Sequence, residues 1–178
     1  MLQERMEPDW LDAFQTVLAQ CGVTPGDTVA VLCESQSRPI LVELARLAAS
    51  RLHAQAFVVQ VNTPPAQAGL PVIRSTGACR SLAGLAPVVS ALAASTLVVD
   101  CTVEGLMHAP ELPDILRGGA RVIYVSNEHP ETLCRLQPDP QVEANVKDHV
   151  KRMRSVKQML VTSPSGTDLR IDLRRLLP

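Results

Sequence analysis

Thr28-Val29-Ala30-Val31-Leu32-Cys33 is a short, almost wholly apolar run, preceded by the turn-forming Val23-Thr24-Pro25-Gly26-Asp27 and followed by the polar stretch 34–38. A run this short and apolar on alternate sides alike reads as a strand buried on both faces. On its N-terminal side, Leu11, Phe14, Val17 and Leu18 recur at helical spacing, and Asp9 or Asp12 supplies a cap for a helix reaching about Cys21. On its C-terminal side, Pro39 suits the first turn of a helix continuing to about Leu52, with Leu41, Leu44, Ala45 and Ala48 as its apolar stripe.

The alternation continues along the chain. Gln55 to Val61 reads as a second strand, and 62–71, with Pro64, Pro65 and Pro71, as a loop. A helix is expected over 82–94, a strand over 96–101, and a helix from Ala109 to Leu116 with Pro110 near its start and Gly118-Gly119 past its end. Arg121 to Val125 reads as the fourth strand and Glu131 to Leu136 as a short helix, stopped by the Pro138 and Pro140 turn. Val142, Val146, Val150 and Met153 then mark one face of a basic amphipathic helix. Gln158–Thr162 and Asp168–Leu173 read as two strands joined by Ser163-Pro164-Ser165-Gly166, the second alternating apolar and polar so that one face is exposed.

Apolar strands separated by helices predict an α/β fold: a mostly parallel sheet flanked by helices, Rossmann-like or flavodoxin-like, with a C-terminal β-hairpin. The expected division is an α/β domain over 1–156 and the hairpin over 157–178. Ligands of such sheets sit beyond the carboxyl ends of the strands. The loops that matter are therefore 34–38, 62–71, 102–108 and 126–130.

Composition narrows the function. The chain has 178 residues, 46% hydrophobic, enough for one domain with a real core. Only Trp10, Phe14, Phe57 and Tyr124 are aromatic, so the core must come from Ala, Val and Leu, and base-stacking platforms are disfavoured. A formal net charge of −1 argues against nucleic-acid binding. That charge is uneven: residues 1–140 hold nine Lys and Arg against 14 Asp and Glu, whereas 141–178 hold eight against four. Such a basic segment reads as a solvated helix face or as a surface for an acidic partner. The N-terminus lacks the apolar run of a signal peptide, and no stretch reaches the roughly 18 apolar residues of a membrane span. Five widely spaced cysteines without C-x-x-C point to reduced thiols and a cytoplasmic protein.

Neither G-x-G-x-x-G, the P-loop, H-E-x-x-H nor G-x-S-x-G occurs, and the four histidines never fall at metal-ligand spacing. His53 and His149 fall in expected helices; His108 and His129 fall at strand-end loops. The loop after the third strand is the densest in chemistry, with Asp100, Cys101, Glu104, Met107 and His108. A histidine there suits general acid or base work near neutral pH, and equally a capping or solvated loop role. Cys101 with His108 forms a conceivable thiol–base pair, although a strand-end core cysteine is the simpler reading.

Five stretches carry a family resemblance: Gly26-Asp27-Thr28-Val29-Ala30-Val31-Leu32, Thr96-Leu97-Val98-Val99-Asp100, Leu106-Met107-His108-Ala109-Pro110-Glu111, Pro130-Glu131-Thr132-Leu133-Cys134-Arg135-Leu136 and Gly166-Thr167-Asp168-Leu169. In this order they resemble the N-terminal half of 2,5-dihydroxypyridine 5,6-dioxygenases. They also resemble the aminopeptidase T type of metallopeptidase, which shares that architecture. The resemblance implies a non-haem Fe(II) ring-cleaving enzyme of nicotinate or nicotine breakdown. Its iron is bound by two histidines and an aspartate of a C-terminal domain, leaving open positions for substrate and oxygen. His108 matches a proton-handling histidine of the N-terminal domain, which favours the dioxygenase branch. Glu104 and Met107, on the same loop, become the expected substrate-binding residues.

The same resemblance implies a small aromatic N-heterocycle as substrate, a homo-oligomer, and a C-terminal metal-binding domain as partner. No residue of this chain matches a metal ligand. The basic segment 141–178 then reads as the seam toward that domain. The remaining alternative is a non-catalytic α/β module that docks a partner.

Overall fold

Proline starts most of the helices. In a computed structural model describing residues 5–65, 76–137 and 139–174, α1 (Pro8–Gln20), α2 (Pro39–Arg51), α3 (Ala86–Ala93), α4 (Leu112–Arg117) and α6 (Pro140–Met153) each place a proline at the first or second position. The missing N–H costs nothing there, and the fixed φ suits the first turn. Between these helices run β1 (Thr28–Glu34), β2 (Gln55–Val61), β3 (Leu97–Asp100), β4 (Arg121–Tyr124), α5 (Glu131–Arg135), β5 (Gln158–Thr162) and β6 (Asp168–Asp172).

Three helix starts differ from the sequence reading, each for a local reason. The first helix begins at Pro8 without a side-chain cap; Asp9 lies in its first turn, and Asp12 pairs with Arg51 at 2.6 Å instead. The third helix starts four residues later than expected, because Gly84 takes φ +76° and Pro87 restarts the helix. The fourth starts at Leu112 rather than Ala109, because Pro113 has no N–H to give to the Ala109 carbonyl and so must lie in the first turn. His53 falls just beyond α2 at φ +59°, where its carbonyl accepts from Gly26 N at 3.0 Å.

The four strands of the main sheet are all parallel, in the order β2-β1-β3-β4. Side chains alternate across β1, so consecutive residues enter different cores. Val29, Val31 and Cys33 join Leu97, Val99 and Cys101 under Phe14 and Leu18 of α1 and Leu41, Leu44 and Ala48 of α2. Ala30 and Leu32 join Val98 on the opposite face, under Leu82, Leu92, Leu106 and Ile115. This two-sided burial is why β1 reads as a continuous apolar run. Strand β2 has an equally apolar sequence but lies at the sheet edge, with Phe57 and Val58 exposed.

The chain divides into two compact units, Met1–Gln137 and Pro138–Pro178. The second holds α6, capped by Asp139 Oδ1 accepting from Gln141 N at 2.8 Å, and the antiparallel β5–β6 hairpin. Among the described residues, no helix is long and apolar enough to cross a membrane. Residues 66–71 of the expected 62–71 loop lie outside the described residues, as do Pro138 and the C-terminal 175–178.

Candidate functional site

The strand order reverses direction between β1 and β3: the chain leaves β1 toward β2, then crosses back to β3 and β4. The crevice beyond the carboxyl ends of strands at such a point is where open α/β sheets bind ligands. Two buried carboxylates stand there, Glu34 as the last residue of β1 and Asp100 as the last residue of β3.

Asp100 organises the loop that follows it. Its Oδ1 accepts from Thr102 N at 3.0 Å and Thr102 Oγ1 at 2.6 Å, and its Oδ2 accepts from Leu106 N at 2.7 Å. Thr102 Oγ1 in turn accepts from Gly105 N at 3.1 Å. The Asp100 carbonyl accepts from Val125 N at 3.0 Å and Ser126 N at 2.8 Å, fastening the end of β4 to the same point. Burial pushes the Asp100 carboxyl above its ordinary value. The hydrogen bonds from Thr102 and Leu106 pull it back down, and the nearby Glu34 charge pushes it up.

A second segment holds the loop from its other side. Gly77 N donates to the Glu104 carbonyl at 2.6 Å, Cys79 N donates to the Gly105 carbonyl at 2.9 Å, and His108 N donates to the Gly77 carbonyl. Thr76 adds its N at 3.3 Å and its Oγ1 at 2.9 Å to Glu104 Oε2. Gly77 has φ +74°, and a Cβ there would come within 3.1 Å of His108 Cδ2 and 3.2 Å of Met107 Cβ. Glycine is thus required where the segment passes under His108.

The residues named from sequence therefore share one braced loop. Met107 and His108 are exposed at its tip, and the His108 imidazole has no hydrogen-bond partner among the described residues. Glu104 is half-buried, with Oε2 committed to Thr76. The thiol–base pairing does not form: Cys101 is fully buried within the α1–α2 core, and burial drives its thiol far above the ordinary range. His129 is structural, its ring edge-on to Trp10 at 5.3 Å and its Nδ1 accepting from Glu131 N at 3.3 Å.

Sequence reasoning placed Glu34 in a polar loop; it is instead a strand residue only 3% exposed. Its Oε1 accepts from Cys79 Sγ at 3.1 Å, while Oε2 has no partner among the described residues. Cys79 also meets Ser81 Oγ at 2.7 Å, and burial raises its thiol to about 11. An acidic residue ending an all-apolar strand was the available signal. Neighbouring loops are cross-tied too: Arg38 N donates to Asn127 Oδ1 at 2.9 Å, and Gln36 N to Thr63 Oγ1 at 3.0 Å. A shallow concavity where α3 meets α4, lined by Leu82, Leu85, Val89, Ser90, Glu111 and Asp114, does not include His108. Among the described residues, no three His, Cys, Asp or Glu side chains gather as metal ligands would.

The sequence model of the 2,5-dihydroxypyridine 5,6-dioxygenase family matches residues 9–177. A curated 2,5-dihydroxypyridine 5,6-dioxygenase of Pseudomonas putida KT2440 is 32% identical over 165 residues, covering 90% of this chain and 45% of the relative. The solved structure of 2,5-dihydroxypyridine dioxygenase from Pseudomonas putida KT2440 superposes with a TM-score of 0.77 at 29% identity, covering 92% of this chain and 47% of that one. The chain spans about half the length of the curated relative it matches, and corresponds to its N-terminal part. With the sheet, the hairpin and nearly every residue inside the match, the chain belongs to the 2,5-dihydroxypyridine 5,6-dioxygenase family.

Proposed function

We propose that this chain is the substrate-facing α/β half of a cytoplasmic, homo-oligomeric enzyme that opens a dihydroxylated pyridine ring with O2. The observation that carries the reading is the placement of His108. It is an exposed imidazole on a braced loop at the switch point, in a chain that matches the dioxygenase family over residues 9–177. Fe(II), held by a C-terminal domain of the kind the relative's extra length accommodates, would supply the site where O2 and the ring meet.

This chain's own residues position the ring and move its protons. His108 takes a proton from a ring hydroxyl as the ring is activated and returns one as the opened product forms. Met107, 52% exposed beside it, offers a polarisable apolar contact to the ring. Glu104, anchored by Thr76 through Oε2, keeps Oε1 for a ring N–H or hydroxyl. With so few aromatic residues here, stacking on the ring falls mainly to the other half.

The test is consumption of 2,5-dihydroxypyridine in air with Fe(II) by the protein carrying both halves. The His108→Ala variant is expected to lose about 10²- to 10⁴-fold in kcat, the usual range for a general acid–base residue. Activity on amino-acid amides dependent on Zn or Co, with none on hydroxypyridines, would select a peptidase instead.

A further inference from the structure

Val142, Val146, Val150 and Met153 follow one another by four, four and three residues along α6, so they form one stripe. All four are exposed, from 41% at Met153 to 55% at Val142, and α6 buries no residue at all. Two of its three cations are paired within the helix: Lys147 with Glu143, and Arg152 with Asp148 at 2.8 Å. The hairpin repeats the pattern. Met159 faces Ile171 and Val161 faces Leu169 across β5 and β6, so these four share one face, and Met159, Val161 and Leu169 are exposed. A two-stranded ribbon is marginal by itself, and apolar surface gathered on both elements of so small a unit marks an interaction surface.

We propose that the α6 stripe and the apolar face of the β5–β6 hairpin are the docking surface for the C-terminal half carried by members of this family. The proposal rests on the functional reading only for the existence of that half. The relative matched here extends for more than half of its own length beyond the part this chain covers. This chain corresponds to its N-terminal part, so the extra polypeptide follows the hairpin. A segment joined at that point is held at high effective concentration over the unit it leaves, and its apolar side chains find Val, Leu and Met there to cover. Because the stripe and the hairpin face are built of Val, Met, Leu and Ile, apolar burial rather than attraction to the basic segment holds the complex, and its stability changes little with salt.

The experiment compares this chain alone with this chain fused to the C-terminal half of the Pseudomonas putida relative. Val146→Cys on the stripe and Ala144→Cys on the opposite face of α6 are labelled with a maleimide and read by mass spectrometry. Expected is about a hundredfold slower labelling at Val146→Cys in the fusion, as for a site exposed only by local opening, with Ala144→Cys little changed. Val150→Asp in the fusion restores fast labelling at Val146→Cys. The fusion melts in one transition at low and high salt alike. Equal labelling of Val146→Cys in both proteins overturns the proposal, as does separate melting of the halves. Protection that already rises with concentration in the chain alone assigns the stripe to a second copy, and docking lost at high salt assigns it to charge. Docking with no ring cleavage refutes the functional reading and leaves this surface standing.

Discussion

Leu106 N donates to Asp100 Oδ2 at 2.7 Å, from six residues further along the chain, and closes the loop that carries His108. Asp100→Asn keeps the shape but must turn an NH2 toward Leu106 N or toward the Thr102 donors. That confronts donor with donor, and a cost of about 1–3 kcal/mol is expected in chemical denaturation. Asp100→Ala, which orphans all three donors, costs more. Both variants speed exchange of the Leu106 amide.

The same group gives a pH dependence of known sign. The folded-state value of Asp100 is raised, so its contribution to stability is full below the ordinary carboxylate value and is lost as pH rises through the raised one. Asp100→Asn removes this titration. The stability difference between wild type and Asp100→Asn is therefore largest in acid and smaller at neutral pH. Denaturant midpoints across that window show it; a difference growing toward neutral pH contradicts the assignment.

Gly77→Ala tests the brace from the other side. The residue sits at φ +74° with His108 Cδ2 3.1 Å from where a Cβ would stand. Left-handed backbone costs a non-glycine residue about 1–2 kcal/mol. The expected signature is a modest loss of stability together with a shift of the His108 ring resonances and a fall in kcat. Gly26→Ala, equally left-handed but with nothing near its Cβ, is expected to cost similar stability and leave the His108 resonances in place.

Much of this arrangement was legible in the sequence. Strand β1 announced itself because both of its faces are buried, and the loop after β3 stood out for its polar residues, whereas His108 was singled out within it only by the family resemblance. Other features depend on partners distant in sequence. The clasp between Thr76 and Glu104 joins residues 28 apart, and the burial of Glu34 depends on Cys79, 45 residues away. Residue type alone does not reveal either. The late start of α3 was missed for a different reason: the small, apolar run over 82–94 outweighed Gly84 and Pro87, which mark the true start of the helix.

The five thiols divide by burial. Cys33, Cys79 and Cys101 are buried, while Cys21 and Cys134 are half-buried, and burial raises all five above their ordinary value. Thiolate is the reactive form, so alkylation of the native protein at neutral pH is expected to be slow and confined to Cys21 and Cys134. The other three react only after unfolding. Rapid native labelling of Cys101 contradicts its placement in the core.

Leu44 is fully buried in the α1–α2 core, so Leu44→Ala is expected to cost about 2–5 kcal/mol in denaturant melts. Val58→Ser on the exposed edge strand is expected to stay within about 0.5 kcal/mol. Equal effects contradict the assignment of β2 to the sheet edge.

In the proposed function, His108 moves protons on a dihydroxylated pyridine. The most direct test is the pH profile of kcat for 2,5-dihydroxypyridine cleavage, measured for wild type and His108→Ala in the protein carrying both halves. A pH dependence of kcat that changes together with a loss of about 10²-fold or more of kcat in His108→Ala is the predicted result. An unchanged rate and an unchanged profile in His108→Ala would contradict it.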